Sequence, residues 1–311
     1  MIESVQWDGK PIKSPGLFAG IPLARYHGPN ICIGPSVSSS GLRKIMSESP
    51  AHFFAEWTEN PKRIEPKDTK AFIIGRACHH LLLGERWFSR LFVLRPDKMA
   101  DRETGVMKDW HSNRIECKTW AKEQRRLGKT ILTAEDIVNI QGMAISLGRH
   151  PLVMAGILRG QIERSIIWRD KTTGLWLRSR PDAIPTDSGD FADAKTCLSV
   201  KYYEIQKSLN SFGYHQQGAL VRMGAQQVLG IDYRHFTFSL VCIEKENPWC
   251  PRVVQLKDED LDLGEQQNRK AIETIANCIK KNDWPGPGDK EDAVHVGLSD
   301  WFRERAQEQL K

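Results

Sequence analysis

Three short strand-length runs follow one another at residues 162–168, 175–184 and 190–195, and no other stretch of the chain restricts the fold as tightly. The segments between them, Asp170-Lys171-Thr172-Thr173-Gly174 and residues 185–189, have the composition of turns. Asp and Thr side chains there can bond their own backbone, and Gly and Pro tolerate the required dihedrals. A helical stretch over roughly 199–224 follows, and then another strand over 235–243. Strands interleaved with helices predict an α/β protein whose sheet is flanked by helices.

The rest of the chain reads as additions to that unit. Residues 1–35 carry Gly and Pro without a sustained period and predict an irregular arm. Ser38-Ser39-Ser40-Gly41 opens a helix with Leu42, Ile45 and Met46 on one face, since a serine oxygen can satisfy a free N–H of the first turn. Residues 71–83 predict a buried helix ended by Gly84. A charge-dense excursion spans 95–130, and Thr133 begins a helix that keeps Ile137, Ile140, Ala144 and Leu147 at helical spacing. The tail beyond 258 predicts a charged helix, a turn at 284–288 and a last helix. One domain over 1–311 is expected, with an N-terminal arm and helix (1–66), a core (67–250) holding a helical excursion at 95–150, and a C-terminal helical extension (251–311).

Bulk properties exclude more than they select. No run approaches the ~20 apolar residues of a membrane-spanning helix, and the first ten residues lack the pattern of a signal peptide. A cytoplasmic protein is expected. Seven scattered cysteines without a C-x-x-C pair suit reduced thiols rather than a zinc or iron–sulfur site. A net charge of +6 permits a polyanionic partner without requiring one.

The chemistry concentrates in the second and third runs. Residues two apart in a strand face the same way, so Asp193 and Lys195 share a face with Phe191, and Arg178, Arg180 and Asp182 share one on the preceding run. The turn at 185–189 makes these a hairpin that can bring Asp182 beside Asp193. Two carboxylates can hold Mg²⁺, a hard cation that prefers oxygen ligands, and a lysine can orient or deprotonate the attacking water and offset developing charge. An acid two residues before a lysine also occurs at Asp8, Glu65, Asp68 and Glu116, so the tripeptide alone selects nothing. Only at Asp193 does it sit in an apolar run after another acid. A surface hairpin with an ordinary ion pair remains the alternative.

Pro181-Asp182 followed by Asp193-Ala194-Lys195 resembles the signature of the PD-(D/E)XK nuclease superfamily. Around it the chain is similar to the RecE-type exodeoxyribonuclease VIII family, whose nuclease domain is RecB-like. The resemblance is carried by SSSGLRKI with SPAHFF at 38–54, GRACHHLLLG at 75–84, ILTAED at 131–136, RPDAI at 180–184, GYHQQGAL at 213–220 and WPG at 284–286. It implies a central mixed sheet flanked by helices, with helical N- and C-terminal extensions. It also implies that Asp182, Asp193, the Ala194 carbonyl and His79 bind Mg²⁺, with Mn²⁺ as a substitute, and that Lys195 is catalytic. Gln217 matches the glutamine of a Q-x-x-x-Y motif near the DNA backbone, while the tyrosine position is Val221. The role of that phenol is either absent here or supplied by Tyr214 or Tyr202.

Glu163 is a further candidate acid, or merely a strand-end charge. Arg178 and Arg180 either clamp phosphates or pair with neighbouring acids, and His80 falls one position off the histidine motif. The implied activity is degradation of linear duplex DNA from its ends, 5′ to 3′. It would leave a 3′ single strand for a strand-annealing recombinase, and the implied assembly is a ring-shaped homo-oligomer. A restriction-type endonuclease and a non-catalytic DNA-binding recombination scaffold are the alternatives.

Overall fold

The computed structural model describes residues 3–65, 70–82, 88–185, 188–289 and 291–310, without the side chains of 71, 72 and 79–82. Two five-stranded mixed sheets dominate. The first runs Val5–Gln6, Gly16–Ala19, Ser165–Arg169, Trp176–Ser179, Ser36–Ser38. The second runs Pro251–Gln255, Thr237–Glu244, Asp190–Cys197, Ala183–Ile184, Gln161–Ile162. The N-terminal arm is therefore not irregular throughout: it supplies two strands to the first sheet, Val5–Gln6 and Gly16–Ala19, and Ser36–Ser38 just after it supplies a third, so backbone pairing succeeds there without any apolar period in the sequence. The C-terminal extension likewise begins as a strand, Pro251–Gln255, at the edge of the second sheet.

Asp190–Cys197 lies at the centre of the second sheet, antiparallel to Ala183–Ile184 and parallel to Thr237–Glu244. Parallel neighbours need a helical crossover, and helices Tyr202–Phe212 and Tyr214–Gly224 provide it. The stretch expected as one helix breaks at Gly213, whose left-handed backbone (φ +61°) suits a residue without Cβ.

This sheet is covered on both faces, so its strands alternate between two cores rather than between core and water. Phe191, Phe238 and Leu240 pack with Leu220, Leu261 and Ile272 on one side. Ala192, Val241 and Ile243 pack with Ile74, Ala77, Ile140 and Leu147 on the other. Burying each Phe or Leu contributes about 1.5–3 kcal/mol.

The helices hold this sandwich in register. Ala134–Gly148 starts at a capping box in which Thr133 and Asp136 bond each other's backbone N–H groups. Ser39–Ser47 buries Leu42 and Ile45 as expected, but Met46 stays 39% exposed. The Ser38 hydroxyl meets Ser40 instead of capping that helix. Trp284 of the C-terminal turn stacks on Phe54 with ring centroids 4.6 Å apart and also touches Phe53 and Trp57, tying the tail to the N-terminal helices.

Helix Lys70–Leu82 lies over the second face of the sheet; Gly84 falls outside the described residues. The excursion after it is not purely helical. A parallel pair, Phe92–Leu94 with Thr130–Leu132, forms its base, and a hairpin of Lys98–Ala100 and Met107–Asp109 precedes helix Ile115–Arg126. Among the described residues no helix is long and apolar enough to cross a membrane.

Candidate active site

The two runs expected as continuous strands over 162–168 and 175–184 are one antiparallel ribbon bent sharply in the middle. Ile162 pairs with Ala183 in the second sheet, and Ile166 pairs with Ser179 in the first, in the same register. The break falls at Glu163-Arg164 on one side and Arg180-Pro181-Asp182 on the other. Pro181 lacks an N–H and cannot continue the ladder, and Glu163 adopts a left-handed backbone with φ +50°. The pairing contact that remains at the bend is Glu163 N–H donating to the Asp182 carbonyl at 3.1 Å.

That bend overturns the expectation that Arg178, Arg180 and Asp182 share a face, because strict alternation holds only within an unbroken strand. Arg178 is 3% exposed, donates to the Tyr26 carbonyl and lies 5.3 Å from the Tyr26 ring. Arg180 donates to Ser165 Oγ and the Ile21 carbonyl and sits 4.8 Å from the same ring. Both guanidinium groups hold the N-terminal arm. Burial, with these two cations beside it, drives the His27 imidazole down to about 4, so His27 is neutral at physiological pH.

Asp182 turns the other way. Its carboxylate accepts a hydrogen bond from the Ala194 N–H at 2.6 Å, which sets it beside Asp193 on the neighbouring strand. Asp193 is 2% exposed, and Lys195, on the same face of its strand, forms an ion pair with it. Burial works against the Lys195 charge, but Asp193, Asp182 and Tyr214 outweigh it and hold the ammonium above the usual lysine range. Lys195 therefore stands as a cation in this arrangement.

Tyr214, at the start of helix Tyr214–Gly224, places its ring 5.0 Å from Lys195 Nζ. Burial pushes the phenol above its ordinary value despite the opposing Lys195 and Arg43 charges, so it is neutral. Tyr202 is 67% exposed and Val221 only 2%, within the apolar core. Of the two candidate phenols, Tyr214 is the one against the lysine. Gln217 lies half-buried one turn further along that helix.

Arg43 was not singled out from the sequence. Its Nε donates to the Ser39 carbonyl at 3.4 Å and its Nη1 to the Phe212 carbonyl, bracing helix Ser39–Ser47 against the Gly213 turn. Burial lowers its basicity while Tyr214 and Asp193 support its charge. A single arginine within SSSGLRKI carries no local signal; only its approach to Gly213 brings it to the site.

The donors are hard oxygens, and two carboxylates held side by side in a buried setting suit a divalent cation of the Mg²⁺ or Mn²⁺ kind. Extending the ladder would place Pro181 opposite Ala194, and with no N–H it cannot bond the Ala194 carbonyl, a suitable third oxygen. Among the described residues no group of three or more His, Cys, Asp or Glu side chains could hold a metal ion, so Glu163 does not complete such a cluster. Gly75 packs helix Lys70–Leu82 close to Thr196, since a Cβ there would lie 3.3 Å from the threonine hydroxyl. The side chains of His79 and His80, further along that helix, lie outside the described residues.

The structure is similar to the crystal structure of a protein from Eubacterium rectale named "Putative exonuclease", with a TM-score of 0.53 at 13% identity, over 85% of this chain and 91% of that one. At that identity the likeness speaks for the fold. No curated protein matches the sequence. The model of one family, described as a PDDEXK-like domain of unknown function (DUF3799), matches residues 38–295, which includes Asp182, Asp193 and Lys195. The chain belongs to this PDDEXK-like family.

Proposed function

We propose that this chain is a divalent-metal-dependent DNA nuclease that works from the ends of linear duplex. The observation that carries the reading is Asp182 and Asp193 side by side on adjoining strands, with Lys195 paired to Asp193 and backed by Tyr214. Asp182, Asp193 and the Ala194 carbonyl would hold the metal, joined by His79 on the motif resemblance. When bound, Mg²⁺ or Mn²⁺ polarises the phosphoryl group and acidifies a water.

The chain's own residues do the rest. The Lys195 ammonium orients the incoming phosphate and offsets charge that develops on it. Tyr214 limits where that ammonium can go. Arg43, anchored through two backbone carbonyls, adds a second fixed cation near Asp193. Gln217 lies on the helix that would flank the DNA backbone.

Resemblance to RecE-type enzymes supports the finer parts of the reading. These are end dependence, 5′ to 3′ polarity, a ring-shaped homo-oligomer and a strand-annealing recombinase partner in the cytoplasm. The test uses purified protein with Mg²⁺ on a supercoiled plasmid and on the same plasmid linearised. Progressive loss of the linear form with survival of the closed circle is expected. Equal cleavage of both would establish a restriction-type endonuclease, and intact DNA in both lanes would leave a binding scaffold.

A further inference from the structure

The excursion at 95–129 holds ten Lys and Arg against six Asp and Glu, four of the chain's six net positive charges. It has packing of its own. Trp110 and Trp120 meet edge-to-face at 5.5 Å, Arg95 lies 5.5 Å from the Trp110 ring, and Cys117 and Ala121 bury one face of helix Ile115–Arg126. A flank of that helix, about a quarter-turn round from Cys117 and Ala121, carries Lys118, Lys122 and Arg125, all exposed, at the i, i+4, i+7 spacing that aligns side chains along one stripe.

Internal pairing does not explain this stripe. Four of the six acids of the excursion are already engaged: Asp101 with Lys108 and Arg114, Asp109 with Lys98, Glu116 with Arg114, and Glu123 with Arg126. Among the described residues, Lys118, Lys122 and Arg125 take part in no ion pair. Three like charges one turn apart repel and weaken the helix they stand on. A polyanion lying along the stripe removes that repulsion and releases its own counterions in exchange.

The stripe is also tied to the site. The excursion's base strand, Thr130–Leu132, takes a hydrogen bond at Thr130 Oγ1 from Arg76 Nη2, at 3.0 Å. Arg76 belongs to helix Lys70–Leu82, the one that packs at Gly75 against Thr196, next to Lys195. We infer that the excursion is a backbone-gripping arm whose Lys118, Lys122 and Arg125 contact phosphates of duplex DNA away from the cleaved bond. This rests on the nuclease reading and goes beyond it by assigning the surface that holds uncut duplex. Three cations separated by seven residue rises in all span ~10 Å of helix, enough for about three phosphates of one strand at ~3.4 Å of axial rise each.

The test is duplex binding by fluorescence anisotropy, with Ca²⁺ in place of Mg²⁺, across a salt series. Wild type is compared with Lys118→Gln/Lys122→Gln/Arg125→Gln and with a control that loses equal charge elsewhere, Lys270→Gln/Lys280→Gln/Lys281→Gln. The arm variant should bind at least about tenfold more weakly at physiological salt, and its log–log salt slope should fall by about 2.7, from ~0.9 per lost contact. The control should keep the wild-type slope. An unchanged slope in the arm variant, or the same loss in the control, overturns the inference. So does an altered oligomeric state of the arm variant on size exclusion, which would assign the stripe to contact between copies. Absence of duplex binding by the wild-type protein would instead remove the nuclease reading itself.

Discussion

The carboxylate of Asp182 and the backbone N–H of Ala194 are joined by a 2.6 Å hydrogen bond across two strands, and this contact positions the site. One Asp182 oxygen serves the strand, and its charge is shared with the space in front of Asp193. Asp182→Asn keeps an acceptor for Ala194 but removes the charge. We expect a melting temperature within a few degrees of wild type and a loss of turnover of at least about 10²-fold, the scale of deleting one electrostatic contact to a transition state. Near-wild-type cleavage by the Asn variant would show that the pair is structural.

Lys195→Ala should also lose at least about 10²-fold in turnover while duplex binding measured with Ca²⁺ changes little. One cation among 45 Lys and Arg residues is a small part of a phosphate-contact surface. Removing it leaves Asp193 buried without its ion pair, so thermal stability must be measured alongside. Wild-type cleavage by a folded Lys195→Ala protein would refute the site.

Hydrolysis should require Mg²⁺ or Mn²⁺ and stop in excess EDTA. Ca²⁺ should bind without turnover, because its longer and looser coordination does not align attack. Isothermal calorimetry on Asp193→Asn, with metal alone, separates binding from catalysis: the variant should lose metal affinity. Undiminished activity in EDTA would contradict the oxygen-donor reading.

Arg178→Ala should act on stability rather than chemistry. The guanidinium is buried and bonded to the Tyr26 carbonyl, so its removal leaves that acceptor without its partner and a void beneath the arm. A loss of about 2–4 kcal/mol is expected, seen as a lower urea midpoint, with catalysis per folded molecule retained. A stable variant that fails to cleave would return Arg178 to a direct role at the DNA.

Gly189→Ala tests the turn before the central strand. A Cβ there would lie 1.6 Å from the His235 carbonyl oxygen, and a backbone atom cannot move aside as a side chain can. The Asp190–Cys197 and Thr237–Glu244 strands would have to part at their start. A drop of about 2–4 kcal/mol is expected; an unchanged melting temperature would show that the two strands can separate there without cost.

Much of this was legible because it depends on local rules. The order of strands and helices, the turn compositions at 170–174 and 185–189, and the shared face of Asp193 and Lys195 follow from periods of two and 3.6. Spacing and motif resemblance were enough to single out Asp182, Asp193, Lys195 and Tyr214 as candidates. Other features depended on atoms far apart in the chain. The ribbon bends at Glu163 and Pro181, and that bend sends Arg178 and Arg180 to the N-terminal arm while Asp182 goes to the site. Arg43 reaches Phe212 across 169 positions, and Gly16–Ala19 and Ser36–Ser38 pair with Ser165–Arg169 and Trp176–Ser179, far along the chain. A sequence records which faces a strand can present, because alternation is a property of the backbone itself. Which way the chain turns where the ladder breaks is decided by the partners available at that point, and only the tertiary structure supplies those.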